Sequence, residues 1–157
     1  MLRVDKELRG DLTLLRLSGE IGESSDFGTL IGSVSKQVIV NCRDITRINS
    51  TGVVGWIRYF SELTRNGHSL KFTECSIPVV EQINLIVNFV AGGQIESVFV
   101  PYYCSKCMCE LRALIKVEEL RSVGVKIPPA QCSTCKSFAT FDDVPESYLA
   151  FLDRSSS

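Results

Sequence analysis

An α/β fold is predicted for this chain of 157 residues from three observations. Up to about residue 100, short β-branched runs alternate with segments whose apolar residues recur at intervals of three and four. The composition, 45% apolar and 22% charged, is ordinary for a globular chain. Most of the seven cysteines lie after residue 100. We therefore predict a domain with a mixed sheet and helices over residues 1–100, followed by a small cysteine-rich module over residues 101–157.

The order β-β-α-β-α-β-α-β is predicted for the first domain, and its first half depends on residues 11–42. Residues 11–21 alternate between apolar and polar side chains and contain glycine near their end, which indicates a strand. Ser24, Ser25 and Asp26 are candidate N-caps for a short helix, because the apolar residues after them have helical spacing. Residues 37–42, QVIVNC, form a continuous β-branched run, which predicts a central strand covered on both faces.

The second half begins with the most regular helix in the sequence, which is predicted between residues 49 and 66. Its apolar residues repeat at intervals of three and four, and they are Val53, Trp56, Ile57, Phe60 and Leu63. Residues 69–75 are predicted to form the next strand, and a helix opened by proline is predicted over residues 78–90. Residues 95–100, IESVFV, are predicted to be the final strand of this domain.

These elements, with GEI at residues 19–21 and RINSTGVVGW at residues 47–56, resemble the STAS domain over roughly residues 1–100. That family includes the anti-sigma factor antagonists of bacteria and the cytoplasmic domains of sulfate transporters. The resemblance implies that a partner serine kinase, which doubles as the anti-sigma factor, phosphorylates a hydroxyl in the Asn-Ser-Thr-Gly loop. Ser50 and Thr51 occupy the acceptor positions. The implied partner-binding residues are Asn49, Ser50, Thr51, Gly52, Val53 and Trp56.

The chemistry of a helix start agrees with this interpretation. A phosphate on Ser50 or Thr51 would face unpaired N–H groups and the positive end of the helix dipole. Phosphorylation adds about −1.5 to −2 charges at neutral pH, which is enough to turn contact with an acidic partner into repulsion. Two positions depart from the family pattern, since Asn49 replaces the usual acidic residue and Gly22 stands where Asp is often found. Ser and Thr at a helix start also serve as ordinary caps, so a scaffold subunit without phosphorylation is an alternative function.

Two C-x-x-C pairs lie in the second module, Cys104 with Cys107 and Cys132 with Cys135. Four thiolates from two such turns close a tetrahedral site and leave no position for water. This spacing predicts one structural Zn²⁺. The segment resembles a zinc ribbon over roughly residues 101–142.

The residues beside these pairs leave alternatives open. Met108 and Lys136 follow the paired cysteines at positions where zinc knuckles often have glycine. Cys109 is therefore an alternative ligand. A redox-active C-x-x-C pair would instead sit at a helix start in a thioredoxin-type domain. A further alternative function is a thiol redox sensor that uses Cys107, Cys109 or Cys135.

The end of the chain is predicted to form a helix over residues 142–152. Asp143 and Glu146 have the spacing of a capping box, and Pro145 suits a first turn. The apolar face of this helix would close against the zinc ribbon or the first domain, or would dock a partner. Between the cysteine pairs, strand-like or short helical apolar segments are interrupted at Gly124.

The composition also disfavours some classes of binding partner. The formal net charge is −1, which disfavours nucleic acid because its binders are usually basic. No apolar stretch approaches the roughly 18 to 20 residues that cross a bilayer, and residues 1–11 are charged where a signal peptide is apolar. We therefore expect a cytoplasmic protein that does not insert into membranes. The sequence contains no hydrolytic constellation, dinucleotide-binding glycine pattern or P-loop, so we expect a regulatory protein that binds a signalling partner rather than an enzyme.

Overall fold

The computed structural model describes residues 1–122 and 127–154, so the interruption predicted at Gly124 lies outside the described residues. The strands are Arg3–Arg9 (β1), Leu12–Ile21 (β2), Gln37–Ile48 (β3), Ser69–Thr73 (β4), Gln94–Ile95 (β5), Ser97–Cys104 (β6), Cys109–Lys116 (β7), Ala130–Gln131 (β8) and Phe138–Phe141 (β9). The helices are Phe27–Ile31 (α1), Ser50–Arg65 (α2), Ile77–Leu85 (α3), Val117–Ser122 (α4), Pro145–Tyr148 (α5) and Phe151–Arg154 (α6). Among the described residues, none of these helices combines the length and the apolar character that crossing a membrane would need.

The first sheet has five strands in the order β1-β2-β3-β4-β5, which confirms the predicted α/β class with a mixed sheet. β1 pairs antiparallel with β2, and the other neighbouring strands are parallel. Successive parallel strands lie side by side, so right-handed connections place α1, α2 and α3 on the same face. Val38 and Val40 of β3 are buried beneath these helices, whereas Ile39 on the opposite face is only partly buried. The prediction that this strand is covered on both faces was therefore wrong.

β3 is also longer than the predicted strand over residues 37–42. The second half of β3 pairs with β2 as far as the residue pair Ile21 and Ile48, and the pairing is interrupted by two shifts in register. The charged residues after Cys42 suggested an end to the strand. They are tolerated because Ile45 and Ile48 on the other side of the strand are buried. The extension carries the chain directly to the start of α2.

Trp56 lies at the centre of the core beneath α2. Its ring stacks on Phe72 at 5.4 Å and on Phe89 at 4.9 Å between ring centroids. The indole N–H donates to the carbonyl of Phe89 at 3.0 Å. The helix predicted over residues 78–90 ends early, at Leu85, because Ile86 takes an extended conformation and the following turns direct Phe89 inward.

The predicted final strand over residues 95–100 is divided between two sheets. β5 pairs parallel with β4, but β6 pairs antiparallel with β7 and β9 in a four-stranded sheet of order β7-β6-β9-β8. A parallel bridge between Cys75 and Val98 joins the two sheets. Residue 100 consequently lies inside β6, and one hydrophobic core contains residues from both sheets.

An arginine on β7 also connects the second sheet to the first. The guanidinium of Arg112 lies 4.0 Å from the centre of the Phe99 ring and donates to the carbonyl of Arg43 at 3.3 Å. Arg43 in turn forms a 2.8 Å ion pair with Glu74 at the end of β4. These contacts connect β3, β4, β6 and β7, although the paired charges are partly exposed and contribute little each.

The C-terminal helix predicted over residues 142–152 forms as two short helices, α5 and α6. The predicted capping box was wrong, because the Asp143 carboxylate accepts from the adjacent amide of Val144 at 2.6 Å instead. The segment is held by Asn84 of α3, whose side chain donates to the Tyr148 carbonyl at 2.8 Å and accepts from the Phe151 amide at 2.9 Å. Tyr148, Leu149 and Phe151 are thereby buried against α3 and the second sheet.

Candidate functional sites

Four cysteine thiols form the candidate metal centre. The sulfurs of Cys104, Cys107, Cys132 and Cys135 lie within 4.8 Å of one another, so they could hold a metal ion. The sulfur of Cys104 is 3.5 Å from that of Cys135, and the sulfur of Cys132 is 3.8 Å from that of Cys107. For comparison, sulfurs in a tetrahedral zinc–thiolate site are about 3.8 Å apart, given bonds of about 2.3 Å. The four predicted ligands are thus brought together at a suitable spacing.

Two hairpins bring these thiols together. The first connects β6 to β7, and its last paired residues are Cys104 and Cys109. The amide of Cys107 donates to the sulfur of Cys104 at 3.4 Å, which supports that sulfur from the backbone. The second hairpin connects β8 to β9, and the amide of Cys132 donates to the carbonyl of Ser137 at 2.8 Å. Because β6 and β9 are neighbours, the two hairpin ends face one another.

The backbone after each C-x-x-C pair is left-handed. Met108 has φ of 53° and Lys136 has φ of 64°, although neither residue is glycine. This conformation costs roughly 1–2 kcal/mol for a residue with a side chain. The two turns therefore share one backbone geometry. Zinc knuckles often have glycine at these positions because glycine adopts a positive φ without strain.

The thiols of the cluster differ in acidity. Hydrogen bonds from Ser137 lower the pKa of Cys135 to about 6. Hydrogen bonds from the amides of Cys135 and Thr134 lower the pKa of Cys132 as well. Hydrogen bonding with the Cys135 sulfur, together with burial, raises the pKa of Cys107. Metal ligation requires thiolates, so these lowered pKa values favour metal binding by the second hairpin.

Cys109 lies beside the cluster but outside the group of four. It is partly buried and directly opposite Cys104 on the neighbouring strand. Burial, together with the neighbouring charges of Cys132 and Cys104, raises the pKa of Cys109. The remaining cysteines, Cys42 and Cys75, are fully buried in the first half of the chain.

The second candidate site is the start of α2. Ser50 and Thr51 are exposed there, immediately after β3. Asn49 is the N-cap, and its Oδ1 accepts from the amide of Gly52 at 2.8 Å. By helix geometry, the amides of Ser50 and Thr51 have no acceptor within α2. Two hydroxyls and two backbone donors thus occur together at this surface.

The helix start is held closely against the end of β2. The amide of Asn49 donates to the carbonyl of Ile21 at 3.1 Å. A Cβ atom on Gly52 would lie only 2.4 Å from the same carbonyl oxygen. Glycine is required here for close approach, not for an unusual φ. This contact gives Ser50 and Thr51 a defined position relative to the sheet.

The six residues predicted to bind a partner differ in accessibility. Asn49, Ser50 and Thr51 are exposed. The other three are buried, and they are Gly52, Val53 and Trp56. In this conformation only the exposed residues can touch a partner, whereas the buried residues support the helix start from beneath.

The surroundings of the helix start contain features that the sequence interpretation missed. A concavity of about 310 Å³ beside Asn49 is lined by residues that include Glu20, Glu23 and Arg47. Val54 on α2 is 54% exposed despite its apolar side chain. Its position one turn after Ser50, outside the apolar stripe of α2, was a signal that could have identified it.

Comparison of the chain with protein-family models and with curated protein sequences finds no match. The two candidate sites are therefore interpreted from their own geometry and chemistry.

Proposed function

We propose that this chain is a STAS-type regulatory binding protein that contacts a signalling protein through the start of α2. The observation that carries the proposal is the exposure of Ser50 and Thr51 on the first turn of a 16-residue helix, directly after a strand of the first sheet. The element order up to β5 supports it, since it is the order on which the resemblance rests. The proposed partner is a serine kinase that doubles as an anti-sigma factor, in the cytoplasm of a bacterium.

Phosphorylation of Ser50 or Thr51 is the proposed switch. The positive end of the α2 dipole and the amides of Ser50 and Thr51, which have no acceptor within α2, would stabilise the added phosphate. Its charge of about −1.5 to −2 would exceed the formal net charge of the whole chain, which is −1. The unmodified hydroxyls and the exposed Val54 offer a nearly neutral contact surface. The modified surface would repel a partner that presents acidic groups.

One structural Zn²⁺ is proposed for the four-cysteine cluster. The sulfur spacing and the closed set of four thiols support zinc, which prefers tetrahedral thiolate ligands in such sites. When bound, the ion would supply cross-linking between the two hairpins rather than reactivity. The cysteines would need to stay reduced, as they do in a reducing compartment.

The phosphorylation proposal is tested with ATP and each purified serine kinase of the histidine-kinase ATPase type from the same genome. Intact-mass spectrometry should detect one added phosphate with at least one kinase. The Ser50→Ala/Thr51→Val variant should lose it. Ser61→Ala, near the other end of the same helix, is the matched control and should be modified like the wild type. Absence of phosphate on Ser50 and Thr51 with every kinase would contradict the switch.

A scaffold subunit without phosphorylation is a second candidate function. It is favoured by Asn49, because its side chain caps the helix and no carboxylate stands at that position to orient an acceptor hydroxyl. In that case Ser50→Ala should leave partner affinity unchanged, while removal of zinc should weaken it. Affinity is measured by calorimetry before and after incubation with kinase and ATP. The switch predicts a loss of affinity on phosphorylation of the wild type, whereas the scaffold predicts no change.

A further inference from the structure

The candidate metal centre contains a fifth thiol that the four-ligand site does not use. Cys109 is paired directly with Cys104 across β6 and β7. Side chains of directly opposed residues in an antiparallel pair lie on the same face, with Cβ atoms roughly 4.5–5.5 Å apart. Cys104 belongs to the cluster. The Cys109 side chain is therefore directed toward the same side of the sheet as the metal ligands.

Cys107 and Cys109 have overlapping surroundings. The sulfur of Cys107 lies 3.8 Å from that of Cys132. Cys109 is partly buried beside the same cluster, directly opposite the Cys104 ligand. Only Met108 separates the two cysteines in sequence, and its left-handed backbone turns the chain between them. The first hairpin thus presents two thiols, Cys107 and Cys109, on either side of a single turn residue and next to the cluster.

The second hairpin has no comparable spare thiol. Cys132 and Cys135 are the only cysteines after Cys109 in the sequence. Cys107 and Cys135 are the two partly exposed members of the cluster, whereas Cys104 and Cys132 are buried. Loss of a partly exposed ligand should therefore have different consequences on the two hairpins.

We propose that Cys109 is an alternative metal ligand that replaces Cys107, and this inference rests on the proposed zinc site. The exchange is a ligand substitution without oxidation or reduction. The Cys109 thiol loses its proton to water as its sulfur bonds the metal, and the departing Cys107 thiolate takes up a proton. The metal keeps four thiolates throughout. The site would then survive the loss of its more accessible ligand on the first hairpin.

The test compares zinc and cobalt binding by the full chain and single-cysteine variants. Zn²⁺ content is measured by elemental analysis, affinity by competition with a chelator, and the number of thiolates by the intensity of the Co²⁺ absorption bands. Cys107→Ser should keep one metal per chain with four thiolates, and its affinity should fall no more than about tenfold. Cys135→Ser, the matched control, should lose a thiolate and about 100-fold or more in affinity.

The double variant Cys107→Ser/Cys109→Ser should behave like Cys135→Ser, and Cys109→Ser should behave like the wild type. If the wild-type chain binds no Zn²⁺ or Co²⁺, the proposed zinc site fails and the inference fails with it. If the wild type binds zinc but Cys107→Ser is as weak as Cys135→Ser, the zinc site stands and the inference is overturned. Circular dichroism and Trp56 fluorescence show whether each variant is folded.

Alkylation of the zinc-loaded wild type gives a second readout that does not depend on variants. Exchange between Cys107 and Cys109 leaves each of them free for part of the time. Both should therefore be alkylated by iodoacetamide faster than Cys135, as followed by peptide mass spectrometry. Equal protection of Cys107 and Cys135 would overturn the inference.

Discussion

Gly52 determines how closely the start of α2 approaches the end of β2. A methyl group at this position would meet the carbonyl oxygen of Ile21 at 2.4 Å and its carbon at 2.8 Å. Backbone atoms cannot move aside as the end of a flexible side chain can, so the helix start would have to shift. Because Ser50 and Thr51 precede this contact, such a shift would also displace both hydroxyls.

We expect Gly52→Ala to lower the free energy of unfolding by about 1–3 kcal/mol, as overpacking of a closed contact does. Gly55→Ala on the same helix is the matched control, because its Cβ would lie 3.7 Å from the Phe27 ring, an ordinary contact. That variant should gain roughly 0.5–1 kcal/mol, since alanine favours a helix interior. Urea unfolding of the two variants measures the difference. Equal stability would show that the contact at Gly52 is not tight.

The paired helices α5 and α6 depend on α3 for their position. Each is shorter than a stable isolated helix, so tertiary contacts rather than helix propensity must hold them. Asn84 provides a donor and an acceptor to their backbone, at the Tyr148 carbonyl and the Phe151 amide. The Tyr148 hydroxyl adds a buried hydrogen bond of 2.6 Å to the carbonyl of Phe99 on β6.

Asn84→Leu should release this C-terminal segment. The change keeps the branching at Cγ but leaves a carbonyl and an amide without this side-chain partner, at a cost of roughly 1–3 kcal/mol. Hydrogen exchange of residues 145–154 should become faster, while exchange in β2 and β3 stays slow. Gln82→Ala on the same helix is the control and should change stability by less than about 0.5 kcal/mol. Unchanged exchange over residues 145–154 would mean that side-chain packing alone retains the segment.

The whole molecule combines two sheets, one mixed and one antiparallel, around a shared hydrophobic core. The aromatic cluster around Trp56 packs on the first sheet through Phe72 of β4, and it is far in sequence from the four clustered cysteines. The second sheet has short strands β8 and β9, and its two hairpin ends meet at the four thiols. Small metal-supported modules seldom hold a core without their ion.

Removal of the metal should therefore unfold part of the molecule. Treatment with a strong chelator is expected to lower the melting temperature by about 10 °C or more, because structural zinc contributes several kcal/mol to folding. Amides of β8 and β9 should exchange rapidly. Emission of Trp56, the single tryptophan, should stay that of a buried ring, since its stacking neighbours, Phe72 of β4 and Phe89 of the turns after α3, lie outside the second sheet. Simultaneous loss of amide protection in β8 and β9 and of the buried Trp56 emission would show that the protein unfolds as one cooperative unit instead.

Elements and sites with local signals were predictable from sequence. Helix α2 followed from its apolar repeat, and the structure places it at Ser50–Arg65. The four-thiol cluster followed from two C-x-x-C pairs, because such turns direct two sulfurs to one point wherever they occur. The left-handed backbone at Met108 and Lys136 likewise follows from the geometry of those turns.

Other features required the tertiary structure, because they depend on which distant segments become neighbours. The sequence shows that residues 95–100 form a strand, but pairing with β7 and β9 decides that most of it belongs to the second sheet. Burial of Trp56 away from any partner, and the position of Cys109 opposite Cys104, depend on helix packing and strand register. Spacing along the chain identifies ligands and periodic elements, whereas burial and register are set by long-range contacts that no local pattern encodes.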